Sequence, residues 1–70
     1  MKKSWVIIWV SSFTKEEKVY PGVYLDYDVA WDDKEKLDRT EPYWKGKFHV
    51  VEYGSKEYRN ALMQNRAEAL

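Results

Sequence analysis

Seventy residues with 12 Lys+Arg against 12 Asp+Glu, one His, no Cys and four Trp leave room for one hydrophobic core and little else. A chain of this size buries only about 60% of the surface its unfolded form exposes, which excludes a second core or a deep substrate cleft. The lack of thiols excludes a disulfide scaffold and thiolate metal sites, zero net charge argues against a general polyanion binder, and 17% aromatic residues argue against disorder.

Two lysines precede the apolar run at the N-terminus, which has the outline of a signal peptide. The uninterrupted stretch Trp5–Val10 is only six residues. A signal core takes roughly 7–15, and a membrane span about 20. Val, Ile, Trp and Phe suit a pleated sheet, so the residues from Ser4 to Phe13 are predicted as a strand. A cytoplasmic location is expected.

Residues Thr14–Lys18 read as a polar connection, and Tyr20-Pro21-Gly22 supplies turn chemistry. From Val23 to Trp31 the pattern alternates, with Val23, Leu25, Tyr27, Val29 and Trp31 on one side and Tyr24, Asp26, Asp28 and Ala30 on the other. That period predicts a second strand with one wet face. The charged stretch Asp32–Pro42 reads as an exposed loop with room for one helical turn around Lys34 to Leu37, stopped by Pro42. A third strand is predicted between Tyr43 and Tyr53, with Gly46 as a candidate bulge. Ser55 as N-cap, Glu57 in the first turn and the run of good formers through Ala69 predict a helix over Lys56–Ala69. The expected fold is a single α+β domain over residues 1–70: a small antiparallel three-stranded sheet, curled or barrel-like, followed by one C-terminal helix.

The first strand is apolar on both sides, Trp5, Ile7 and Trp9 against Val6, Ile8 and Val10, which describes a strand covered twice. One helix covers one face. The second requires a curled sheet, a lid formed by the charged loop with Tyr43 and Trp44, or another protein chain. A homodimer would close through Val6, Ile8 and Val10, or through Met63 and Leu70 on the predicted helix.

Charge is regional. Residues 26–42 hold seven acids and three bases, a net −4, between two segments of +2. A solvated face that discourages edge-to-edge aggregation explains this blandly. The functional reading is an acidic docking surface made of Tyr24, Asp26, Asp28, Asp32, Asp33 and Glu35, with Trp44 as aromatic anchor, facing a basic surface on a partner protein.

Catalytic signals are weak. The lone His49 falls inside a predicted strand, no phosphate-cradling glycine loop occurs, and the aspartates lack calcium-loop spacing, so no catalytic, cofactor or metal residue is assigned. Tyr43, Trp44, Lys45, Lys47, His49 and Tyr53 mix aromatics with cations, as single-stranded nucleic-acid binders do, although an isoelectric point near 6.6 and the neighbouring aspartates count against that use. No family signature is matched. The expectation is a non-enzymatic protein-binding module, of the kind phages and mobile elements use as inhibitors or accessory factors of host proteins. The alternatives are a weak single-stranded nucleic-acid binder and a homo-oligomeric structural protein.

Overall fold

A computed structural model describes residues 3–42 and 44–69, with side chains described through Gln64. Chain order is β1 (Trp5–Ser11), β2 (Glu17–Val19), α1 (Tyr27–Thr40), β3 (Gly46–Glu52) and α2 (Lys56–Ala69). The three strands form one antiparallel sheet in the order β2-β1-β3. The apolar first strand is thus central, as its two-sided pattern requires.

Registry assigns the faces. Ile7 pairs with Val50 and Trp9 with Phe48, so these four share one face with Trp5. Val6, Ile8 and Val10 share the other with Val51, His49, Lys47, Val19 and Glu17. On the first face the Tyr27 ring of α1 meets the Trp5 ring edge-on, with centroids 4.9 Å apart. On the second, Gln64 of α2 bonds to Glu17, the register partner of Val10. The helices therefore lie on opposite faces, α1 mainly over β3 and α2 mainly over β2, and among the described residues they do not touch each other. The layers run helix, sheet, helix. Val6, Ile7, Ile8, Ala30, Phe48 and Ala61 form the buried apolar core.

The three-stranded antiparallel sheet and the C-terminal helix match expectation, and α2 has the expected bounds. Ser55 caps its first turn by accepting from the Tyr58 amide at 3.3 Å. The middle of the chain differs. The expected strand over Val23–Trp31 and the expected charged loop over Asp32–Pro42 are instead an extended approach followed by one 14-residue helix. What remains of the strand is a single bridge, in which Tyr24 and Trp5 exchange both backbone hydrogen bonds at 2.7 and 2.8 Å.

Local chemistry explains the change. Asp26 is extended and its carboxylate accepts from the Asp28 amide at 2.9 Å, an N-cap, while Asp28 places negative charge in the first turn. Lys34 and Asp38 pair at 2.9 Å one turn apart. Ala30 and Leu37, two turns apart, turn toward the sheet, with Ala30 fully buried. The period-two series Val23 to Trp31 is consequently not a buried strand face, and Leu25 is 78% exposed.

The sheet has β2 and β3 as its edges, and among the described residues it does not close into a barrel. The polar connection after Phe13 contains the short β2, following a turn in which the Ser11 hydroxyl accepts from the Phe13 and Thr14 amides. The second face of β1 is covered inside the chain. Of the three residues expected at a homodimer contact, Val6 and Ile8 are buried by this packing and Val10 is half-buried.

Candidate functional site

Helical spacing sorts the acidic residues. Asp28, Asp32 and Glu35 stand at i, i+4 and i+7 and form one exposed flank of α1. Asp26 is spent on the cap. Asp33 is turned toward the half-buried Tyr24 and lies 4.0 Å from Lys36. Among the described residues Asp28 and Asp32 have no ion-pair partner. Three of the expected docking residues therefore share a surface, while the exposed Asp26 and the half-buried Asp33 and Tyr24 lie off it and are engaged locally.

Burial, and secondarily the hydrogen bond and negative charge of Asp33, hold the Tyr24 hydroxyl above its ordinary pKa of 10.0. The tyrosine is neutral at physiological pH.

Trp44 is elsewhere. It precedes β3, at the Ser11 end of β1, where its ring meets that of the exposed Phe13 at 6.2 Å and Lys45 Nζ lies 5.4 Å from it. The aromatic beside the acidic flank is Trp31. Its indole donates to Glu35 Oε1 at 2.8 Å, its ring stacks on Tyr27 at 6.1 Å, and Lys34 Nζ sits 4.4 Å from its centroid. It is held from three sides and remains 40% exposed. Sequence reasoning misses Trp31 because strand alternation assigns it to the buried side. The signal that finds it is its spacing to Glu35, one helical turn away.

The cation-and-aromatic group lies on the far side of the molecule. Lys45, Lys47, His49 and Tyr53 alternate along β3, so they face the α2 side of the sheet, and all four are exposed. Tyr53 tilts against Tyr58 at 4.9 Å. Burial, then the neighbouring Tyr53, raises the Tyr58 pKa. Tyr43 and Leu70 lie outside the described residues, and Met63 is exposed on α2.

Two grooves open on the α1 side of the sheet. One of about 430 Å³ lies between α1 and the outer edge of β3, and one of about 340 Å³ lies over Trp9, Tyr20 and Phe48 beside Glu41. Among the described residues no three His, Asp or Glu side chains converge to hold a metal ion, and no helix is long and apolar enough to cross a membrane. No protein family, curated protein or solved structure matches the chain.

Proposed function

We propose that this chain is a non-enzymatic protein-binding module that docks through the exposed flank of α1 onto a basic surface of a partner protein. The observation that carries the reading is the row Asp28, Asp32 and Glu35 on one helix flank, with no ion-pair partner for the first two among the described residues and with Trp31 fixed beside it. A row of carboxylates speeds encounter with a basic partner and makes capture salt-sensitive, and a held aromatic supplies contact area at little entropic cost. Small size and the lack of a catalytic constellation suit an inhibitor or accessory factor of the phage or mobile-element type.

Because Asp26 is a cap, the test reverses Asp32→Lys and neutralises Asp28→Asn. Affinity capture from host lysate, with and without added salt, should lose a salt-sensitive partner while circular dichroism is unchanged. Capture that survives the substitutions and ignores salt refutes the reading.

One observation favours a second reading. Lys45, Lys47, His49 and Tyr53 fall on one exposed strip of β3, the arrangement a weak single-stranded nucleic-acid binder would use. Oligonucleotide titration at low salt without quenching of tryptophan fluorescence removes it.

A further inference from the structure

β3 is an edge strand, and among the described residues no other strand pairs with its outer side. The Tyr53 amide donates to Ser4 and the Ser12 amide to Lys45, which fixes the phase of the ladder: Lys45, Lys47, His49, Val51 and Tyr53 bond inward to β1. The backbone groups of Phe48 and Val50 point outward and have no partner among the described residues. They open into the groove of about 430 Å³, walled on the helix side by Trp31, Lys34 and Asp38 and on the strand side by Lys47 through Val50. A seven-residue edge beside a helix-walled groove has the parts that strand addition uses: main-chain donors and acceptors for affinity, and two rows of side chains for selection.

The two rows differ. A strand paired to Phe48 and Val50 would present its paired residues to the α1 side, against Phe48, Val50 and the Trp31 ring, where Asp38 is already neutralised by Lys34 at 2.9 Å. Its alternate residues would lie beside Lys47 and His49, which have no acidic partner among the described residues. Charge also selects against a second copy of this chain. Antiparallel pairing of β3 with itself keeps like faces together and gathers Lys47 and His49 of both copies on one side.

We propose that the outer edge of β3 is a binding site for an extended peptide segment of a partner protein, in which apolar residues alternate with acidic ones. This site is independent of the acidic flank of α1.

The probe is a capped heptapeptide of alternating valine and glutamate, added to the full chain while backbone amide exchange is followed by NMR. Slowed exchange at Phe48 and Val50 is expected, together with affinity about ten-fold weaker when the peptide is N-methylated on the amides facing β3. Replacing glutamate by lysine in the peptide should weaken binding by a similar factor, and Lys47→Glu should reverse that preference. Val50→Pro removes one outward amide, a change edge strands tolerate, and should weaken the peptide without altering the circular dichroism. Asp32→Lys should leave peptide affinity unchanged, which separates this site from the α1 surface. The proposal is overturned if peptide leaves both amides unprotected, if N-methylation has no effect, or if the chain alone sediments as a dimer with Phe48 and Val50 already protected.

Discussion

Tyr27 meets Trp5 edge-on at 4.9 Å, joining the first turn of α1 to the first residue of β1. Tyr27 in turn stacks on Trp31, so one aromatic chain runs from the central strand to the docking flank. Such pairs contribute about 0.5–1.5 kcal/mol beyond the area they bury. Tyr27→Ala should therefore destabilise the fold by about 2 kcal/mol in urea unfolding, counting lost burial as well. Tyr27→Phe should be within about 0.5 kcal/mol of the parent, because the ring makes the contact. Equal losses for both variants would show that the hydroxyl matters.

At the N-terminus of α1, Asp26 gives a prediction that separates structure from docking. Removing its carboxylate orphans the Asp28 amide, so Asp26→Ala should cost about 1 kcal/mol and lower helical ellipticity, whereas Asp26→Asn should retain most of the cap. Asp32→Lys, in mid-helix and exposed, should change stability by less than about 0.5 kcal/mol. If Asp26→Ala and Asp32→Lys are equally silent in thermal unfolding, the cap contributes nothing.

The parts of the fold legible in the sequence are those where one pattern had no rival. β1 is apolar on both sides over the six residues Trp5–Val10, and α2 carries its cap and its formers in order. The middle of the chain had two competing patterns. Val23 to Trp31 alternates, but Asp26 starts a helix in which only Ala30 is fully buried, Leu37 and the Lys34 stem are half-buried, and Tyr27 and Trp31 pack while staying partly exposed, so its apolar stripe is diluted by charge. Packing against β1 and β3 decides the contest, and that information is tertiary. The acidic surface was legible as exposed charge, because Asp28, Asp32 and Glu35 are exposed in either conformation. Its aromatic neighbour was not, since Trp31 and Trp44 exchange roles when a strand becomes a helix.

Gly46 is held by space. A Cβ there would fall inside van der Waals contact of the Trp9 indole and 2.6 Å from the Val10 carbonyl oxygen. The backbone cannot yield without loosening the Ser11–Gly46 end of the ladder. Gly46→Ala should cost about 1–3 kcal/mol and shift tryptophan emission as Trp9 is displaced. An unchanged unfolding midpoint would show that the indole finds another rotamer freely.

Gln64 ties α2 to β2. Gln64 Oε1 accepts from the Glu17 amide at 2.6 Å while its Nε2 donates to Glu17 Oε2 at 3.1 Å. Gln64→Ala leaves a half-buried edge amide without its acceptor and should cost about 1–2 kcal/mol. Gln64→Glu keeps an acceptor but sets two carboxylates together, so its penalty should shrink as the pH falls through the carboxylate range. A penalty independent of pH would mean the two acids are not in contact.

Tyr24 predicts how the fold responds to alkali. Its hydroxyl is held above the ordinary 10.0 by burial first and by Asp33 second, so the folded chain binds the phenolic proton more tightly than the unfolded chain does. The stability this contributes is complete below 10.0, the value in the unfolded chain, and is lost as the pH rises from there through the higher folded value. Tyr58 is shifted in the same direction and adds to the same alkaline window. Thermal midpoints followed upward from about pH 8 should therefore be level at first and fall once about pH 10 is passed. Tyr24→Phe has no proton to lose, so its midpoint should fall less steeply in alkali. The Tyr24→Phe, Tyr58→Phe double variant should be flatter still. If the single variant reproduces the parent's alkaline slope, burial does not hold the Tyr24 hydroxyl above its ordinary value in the folded chain.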